Sequence, residues 1–422
     1  MIKKVKENID DIYDKGFFHL FSANTFIHLI EFSSQLFVAL ILLADDVGRI
    51  KSFQVYVAIA VIFAGLGFNS SVLKLCSEKI EKTEKENLFV AAFVYTLLAS
   101  FVTLIVFILI AKLDLLSVDN RTNELFVYYA FTIPIMALNN LLIAYFQALK
   151  EFKKVSLYLV FARLIHIVLI VTLTYFYRIE GFILGVVIGF LFSLVLLFIK
   201  TKTRIRLNNI NNKYFLPHWN IAKFGFSGNA VSSINLYLDF IILNHFIKDS
   251  ALLGQYGFAL TLMTGLRLFG YTSQQFVTPF YSERSDELSR LQKMFKKSER
   301  IFIFISFLVG ILAILILPIL IHTIFKGKYD IGMEFFIYLT IAWVIRSWYA
   351  LKGPYLFSLG FMKTNFLNAV ILLALSFLPT WFLIKEYGLL GAAYSQCLTA
   401  LLGAIIVWFS LKNVMKKVVN LS

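Results

Sequence analysis

Residues 155–199 read VSLYLVFARLIHIVLIVTLTYFYRIEGFILGVVIGFLFSLVLLFI, two apolar runs that meet at Arg178-Ile179-Glu180. Each run is about 20 residues long, which at 1.5 Å per residue is enough to cross a hydrocarbon layer of ~30 Å. Runs of this kind recur from end to end of the 422-residue chain. They predict an all-α integral membrane protein.

The composition agrees with a membrane protein. Hydrophobic residues make up 59% of the chain and charged residues 15%, whereas an ordinary soluble domain has about 45–50% and about 25%. The net charge of +15 comes from short loops rather than from a basic domain, so we expect no nucleic-acid partner. Cys76 and Cys397 have no metal-ligand or disulfide spacing, and we expect no metal and no cofactor.

Breaks between the apolar runs predict about twelve transmembrane helices. The predicted spans are residues 17–43, 50–72, 88–111, 125–147, 155–177, 181–199, 221–246, 252–278, 301–324, 332–356, 364–384 and 388–411. The corresponding domains are a cytoplasmic interfacial segment at 1–16, a six-helix lobe at 17–205, a cytoplasmic linker at 206–220, a second six-helix lobe at 221–413 and a cytoplasmic tail at 414–422. A frayed charged terminus is the alternative for residues 1–16.

Lysine and arginine are distributed unevenly between alternate loops. The set that contains both termini holds 26 of them, and the other set, which includes Arg49, Lys51 and Arg178, holds nine. By the positive-inside rule, both termini are cytoplasmic. The largest breaks, residues 200–220 and 279–300, fall on that side.

Several short patterns repeat about 206 residues later in the chain. Gly48 lies just before span two and Gly254 at the start of span eight, at a separation of 206. Gly181 opens span six, and Gly388 opens span twelve, at a separation of 207. An even number of spans per repeat gives both halves the same orientation, so we expect two pseudo-symmetric lobes with a substrate path between them.

Five charged residues fall well inside predicted spans, namely Glu31, Arg163, Asp239, Arg267 and Arg346. A charge at the bilayer centre costs ~2.5–3.5 kcal/mol on insertion scales, so these side chains must face water or one another. The alternative to a cavity is a set of buried ion pairs that fasten helices together. The five charges sum to a positive value, and the planar guanidinium group of arginine matches the geometry of phosphate. The interior therefore suits a phosphate-bearing substrate.

Other polar residues also fall in or beside the predicted spans. His28 stands beside Glu31 on a polar stripe of span one and is a candidate for ion coupling. Lys352 adds one more positive charge near the end of span ten. Asn139 and Asn140 in span four are equally compatible with helix packing and with ligand contacts.

Three segments of the sequence are similar to those of a known transporter family. They are the end of span two, Leu66-Gly67-Phe68-Asn69-Ser70-Ser71 through Ser77-Glu78; the segment Gly254-Gln255-Tyr256 together with Asp239; and the start of span twelve, Tyr387 to Ala393. The chain resembles the Wzx-type oligosaccharide flippases that translocate O-antigen or capsule repeat units. These belong to the polysaccharide transporter family of the MOP superfamily, which also holds the MATE exporters. One departure is Phe240, since the family usually has a basic residue directly after the acid of span seven.

The resemblance implies a MATE-like fold in the bacterial inner (plasma) membrane, with two lobes that open alternately to either side. It implies a substrate, an undecaprenyl-diphosphate-linked oligosaccharide, that moves from the inner to the outer leaflet. Arg267, Arg163, Arg346 and Lys352 are then the candidates to bind the diphosphate. Glu31, Asp239 and His28 are the candidate cavity acids and ion-coupling groups, with H+ and Na+ both open as the coupling ion.

Other functions compete with this hypothesis. A MATE-like ion-coupled exporter of small cations fits the acid of span one but not the net positive interior. A polytopic polysaccharide-modifying enzyme would need a reactive constellation near one surface, and the sequence offers none. We therefore expect a transporter rather than an enzyme, with the lipid bilayer and other polysaccharide-assembly membrane proteins as its partners.

Overall fold

The computed structural model describes residues 17–201, 212–284 and 287–421, and within these ranges it contains thirteen helices and no strand. The helices are α1 (Phe17–Ile41), α2 (Ala44–Gly65), α3 (Phe68–Leu75), α4 (Lys82–Lys112), α5 (Asn120–Tyr129), α6 (Thr132–Ala148), α7 (Phe152–Thr201), α8 (Asn212–Phe246), α9 (Ser250–Glu283), α10 (Leu288–Phe325), α11 (Asp330–Ala350), α12 (Lys352–Ser358) and α13 (Met362–Leu421). The interfacial segment expected at 1–16 lies outside the described residues.

Within the described ranges, seven stretches of helix are long and apolar enough to cross a bilayer, and an eighth crossing results if α5 and α6 count as one broken span. The all-helical membrane fold predicted from the sequence is therefore confirmed. Span four was predicted as one continuous helix, but α5 and α6 meet at a bend of 43°. Pro134 lies in the first turn of α6, where it removes a backbone donor and disfavours an uninterrupted helix.

Helices α7 and α13 each contain a sharp reversal of the chain. Arg178 interrupts α7 with φ 53° and ψ −132°, and Gly388 interrupts α13 with φ 58° and ψ −127°. A Cβ on Gly181 would lie 1.9 Å from the carbonyl oxygen of Leu173, so the two arms of α7 touch through their backbones. Both elements are thus tight helical hairpins.

The contacts of the two hairpins correct one detail of the internal repeat. A Cβ on Gly391 would lie 1.9 Å from the carbonyl oxygen of Leu383, which is the contact that Gly181 makes with Leu173, displaced by 210 residues. Gly181 therefore corresponds to Gly391. The sequence pattern, with its separation of 207, had paired Gly181 with Gly388 instead. The sequence match was misleading because glycine recurs at short intervals in both segments.

The chain divides into two compact units. Unit 1 contains Phe53–Ala230 with the chain up to Leu42, and unit 2 contains Leu43–Ser52 with Val231 onwards. Each unit has a buried aromatic core. In unit 1, Phe89 stacks on Tyr145 with ring centroids 4.0 Å apart.

Unit 2 repeats this stacked pair. Phe295 stacks on Tyr355 at 4.2 Å, and these residues follow Phe89 and Tyr145 by 206 and 210 positions. The same interior contact therefore recurs at the same place in both halves of the chain. It supports the internal repeat independently of the glycine patterns.

The predicted cytoplasmic breaks are shorter than expected. Helix α9 continues to Glu283 and α10 begins at Leu288, so most of 279–300 is helical. Leu291 and Phe295 are buried on one face of this extension, whereas Lys293 and Lys297 are exposed on another. The density of charge indicated a loop, but the apolar positions at i and i+4 form an amphipathic helix. In the same way, residues 212–220 of the predicted linker and 414–421 of the predicted tail are helical.

Candidate functional site

Unit 2 contains a cavity of about 240 Å³. Its walls come from α8, α9, α10, α11 and α13. The polar lining residues are Ser232, Asn235, Arg267, Tyr271, Gln274, Arg346, Ser347 and Thr399. The apolar lining includes Leu236, Phe302, Trp343, Ala350 and Leu372.

Helical periodicity explains why these side chains share one cavity. Arg267, Tyr271 and Gln274 are spaced by four and three residues on α9, so they lie on one face of the helix. Gly270 lies on the same wall, and a Cβ there would meet no atom within 4 Å. The cavity therefore has free space directly beside Arg267.

Two of the predicted diphosphate-binding residues meet in this cavity. Arg267 and Arg346 both line it and repel each other electrostatically. Arg346 donates a hydrogen bond to the side-chain oxygen of Gln396. The lining residues that the structure describes include no carboxylate. The site is therefore cationic, and an anion bound between the two guanidinium groups would relieve their repulsion.

Asp239 is buried behind this wall, at 1% exposure, and does not line the cavity. One carboxylate oxygen accepts a hydrogen bond from the hydroxyl of Tyr256, and the other has no hydrogen-bond partner among the described residues. The carboxylate attracts Arg267 electrostatically. Its position suits orienting Arg267 rather than contacting a substrate.

Lys51 is a charged residue of this region that the sequence did not reveal. The sequence counts it with the loop charges at the edge of span two, whereas it lies in α2 at 8% exposure and interacts electrostatically with Arg267 and Asp239. Asp45 and Asp46 in the first turn of α2 were the available signal, because acidic residues favour a helix N-terminus. Together the four charges Lys51, Asp239, Arg267 and Arg346 sum to a positive value.

The remaining predicted acids and bases of the first half form a separate cluster in unit 1. Glu31 on α1 pairs with Arg163 on α7 at 3.1 Å and with His28 at 3.4 Å. Arg163 also approaches Nδ1 of His166 at 3.2 Å and lies over the ring of Phe190. The arrangement holds α1 against both arms of the α7 hairpin.

Lys352 lies away from the unit 2 cavity. Its ammonium group is 2.8 Å from the carboxylate of Glu299 and donates to the carbonyl oxygen of Trp348. The lysine side chain is 7% exposed. Its charge is therefore neutralised within the protein, by a pair that fastens α12 to α10.

The adjacent asparagines of α6 differ in their surroundings. Asn139 donates to the carbonyl oxygen of Phe190 at 3.0 Å and accepts from Ser193 at 3.0 Å, so it ties α6 to α7. Asn140 is exposed to a second, smaller cavity. Among the described residues, no group of three or more metal-ligating side chains could hold a metal ion.

Comparison with known proteins places the chain in a family. Residues 37–334 match the model of the family described as "Polysaccharide biosynthesis protein". No curated protein matches the sequence.

Solved structures with the same fold are numerous. The Lipid II flippase MurJ in an inward closed conformation superposes with a TM-score of 0.78 at 17% identity, covering 93% of this chain and 87% of that one. An inward-facing multidrug resistance MATE family transporter of the MOP superfamily gives 0.73 at 13% identity, covering 92% and 96%. A MOP superfamily transporter from Pyrococcus furiosus gives 0.62 at 14% identity, covering 93% and 95%.

At these identities the likeness establishes the fold. The family match, over residues 37–334, covers well over half of the chain and includes parts of both units. This multi-pass membrane protein, with the fold of the MOP superfamily, belongs to the polysaccharide biosynthesis protein family.

Proposed function

We propose that this protein is a flippase that moves an undecaprenyl-diphosphate-linked oligosaccharide from the inner to the outer leaflet of the bacterial plasma membrane. The observation that carries the proposal is the pair Arg267 and Arg346 in one cavity without a lining carboxylate among the described residues. A diphosphate presents several anionic oxygens, and two planar guanidinium forks can each bind a pair of them. Family membership and the likeness to a lipid flippase support the same substrate class.

The proposed topology has twelve spans with both termini in the cytoplasm. The α7 and α13 hairpins each provide two membrane-length arms, which raises the eight candidate crossings to ten. Helix α1 and the more polar helix α9 would supply the last two of the twelve crossings. Lobes at 17–205 and 221–413 would then open alternately to the two sides of the membrane.

The proposed division of roles follows the positions of the charges. Arg267 and Arg346 bind the diphosphate, with Lys51 and Asp239 orienting Arg267 from behind. Arg163, paired with Glu31, and Lys352, paired with Glu299, are placed to hold helices together. Glu31 and His28 remain the candidates for coupling to H+ or Na+, since their side chains are partly accessible.

Export of small cations is the second candidate, because the chain also has the fold of MATE transporters. Its difficulty is electrostatic. A cationic compound in the unit 2 cavity would face two guanidinium groups and no lining carboxylate among the described residues, which disfavours its entry.

The test is genetic complementation with a measured substrate. The gene is deleted in its host and replaced by wild type, Arg267→Gln, Arg346→Gln or Arg121→Gln at matched membrane levels. Arg121 is a control because it is exposed and pairs with Glu180 in unit 1. Surface polysaccharide and the leaflet that holds the lipid-linked repeat units are then measured.

We expect wild type and Arg121→Gln to restore surface polysaccharide. The two cavity variants should leave repeat units in the inner leaflet and reduce export at least tenfold, since each removes a charged hydrogen-bonding group worth about 1.5–3 kcal/mol. Unchanged polysaccharide in the deletion strain, with increased sensitivity to cationic compounds, would instead support the exporter.

A further inference from the structure

Unit 1 has a cavity of its own, of about 230 Å³, between α3 and α6. Its polar lining consists of Asn69, Ser70, Asn140 and Gln147, and Leu73, Ile143 and Ala144 complete the wall. On α6 the lining positions 140, 143, 144 and 147 follow the spacing i, i+3, i+4, i+7, so one face of the helix forms the site.

Backbone geometry fixes the α3 wall. Gly67 precedes α3 with φ 74°, and a Cβ there would lie 2.4 Å from the carbonyl oxygen of Ala222. Only glycine permits both this conformation and this approach. Helix α3 is thereby held against α8, with Asn69 and Ser70 directed to the cavity.

The amides that line this cavity are free to bind a ligand. The side chains of Asn69, Asn140 and Gln147 have no hydrogen-bond partner among the described residues. Asn139, the immediate neighbour of Asn140, has both its donor and its acceptor occupied by α7. Amide groups without a partner in the protein bind water or a ligand with complementary groups.

The chemistry of the lining selects the class of ligand. The described lining contains no charged side chain, so a phosphate here would lack a counter-charge. Amides both donate and accept, which matches sugar hydroxyl groups, and Leu73 and Ile143 can pack against the C–H face of a sugar ring. The volume lies just below the ~300–1,000 Å³ of pockets for drug-sized ligands, which suits one sugar residue.

We propose that the α3–α6 cavity is a binding site for an uncharged sugar residue of the transported lipid-linked oligosaccharide. The proposal rests on the proposed function and adds a division of labour to it. The unit 2 cavity is lined by Ala350, the repeat equivalent of Asn140, and carries the arginines. Unit 2 thus recognises the diphosphate, and unit 1 recognises sugar hydroxyl groups.

The test compares two lipids that differ only by the sugar. Purified full-length protein is titrated with undecaprenyl diphosphate and with lipid-linked repeat units extracted from the gene-deletion host, and binding is measured by native mass spectrometry. The variants are Asn140→Leu and Gln147→Leu in the sugar site and Arg346→Gln in the cationic cavity. Asn139→Leu serves as the matched control, since it removes an adjacent amide that is committed to packing.

Wild type should bind the sugar-bearing lipid more tightly than undecaprenyl diphosphate. Asn140→Leu and Gln147→Leu should each lose about tenfold for the sugar-bearing lipid only, whereas Arg346→Gln should weaken both lipids. Asn139→Leu should change the two affinities equally. Sugar-site variants that bind both lipids like wild type overturn the sugar site and leave the proposed function standing. A wild type that binds neither lipid overturns the proposed function itself.

Discussion

Gly48 and Gly254 lie against each other where the first turns of α2 and α9 cross. A Cβ on Gly48 would lie 2.7 Å from the backbone nitrogen of Gly254 and 2.4 Å from the carbonyl oxygen of Ser250. A Cβ on Gly254 would lie 1.8 Å from the carbonyl oxygen of Ala44. Since Ala44 and Ser250 are also 206 residues apart, the contact is reciprocal between positions that are equivalent in the repeat.

This crossing predicts a strong effect of one methyl group. Gly48→Ala should lower the thermal stability of the detergent-purified protein by about 1–3 kcal/mol, because the new Cβ overlaps backbone atoms that cannot move aside. Gly65→Ala on the same helix is the control, since its Cβ would meet nothing within 4 Å. Equal unfolding temperatures for the two variants would show that α2 and α9 do not cross at these glycines.

The Lys352–Glu299 pair predicts a structural rather than a transport defect. Lys352→Met should destabilise the protein by about 3–5 kcal/mol, because it leaves a poorly solvated carboxylate without its partner. Adding Glu299→Gln should recover most of that loss. Transport per folded molecule should stay near wild type in the double variant, and a double variant that is stable but inactive would instead assign Lys352 to the substrate.

The Glu31–Arg163 pair is best tested by a double-mutant cycle. Glu31→Gln and Arg163→Gln should each loosen the contact between α1 and α7, and the double variant should lose less stability than the sum of the two. We expect a coupling energy of about 1 kcal/mol, since both side chains are partly exposed. Additive losses would show that the two groups do not interact, and a stable but inactive Glu31→Gln variant would favour a role in ion coupling.

Cys76 predicts a pH-dependent reactivity. Burial raises the pKa of its thiol from 9.0 to about 12, so the reactive thiolate is scarce below pH 9 in the folded protein. In a Cys397→Ser background, iodoacetamide at pH 8 should modify Cys76 slowly until the protein is denatured. The thiol should also make the folded state less stable as the pH rises from 9 to 12, because ionisation then favours the unfolded chain. Fast alkylation without denaturant would contradict the buried position.

Apolar run length was sufficient to predict the fold class. The repeat was predictable from several short patterns that recur in order at a nearly constant separation of about 206 residues, of which Gly48 and Gly254 are one. Charge density was a poor guide to helix ends, since residues 288–300 are both strongly basic and helical. Lys51 was missed for the same reason, because the charged first turn of α2 has the composition of a loop.

The candidate site was only partly predictable. Arg267 and Arg346 were identified because charges within apolar spans need water or a partner. Which of the intramembrane charges has a partner depends on helix rotation and on contacts between distant segments, as for Arg163 with Glu31 and Lys352 with Glu299. The different surroundings of Asn139 and Asn140 are likewise decided by a single 100° step around α6, which single-sequence patterns do not fix.

The tightness of the α7 reversal has a consequence for biogenesis. With Gly181 in backbone contact with Leu173, only a few residues around Arg178 connect the two arms. The connection is too short for one arm to cross the bilayer while the other arm stays in water. During synthesis the two arms should therefore leave the translocon as one preassembled hairpin, with the turn drawn across the bilayer between them, and the α13 hairpin around Gly388 should follow the same route.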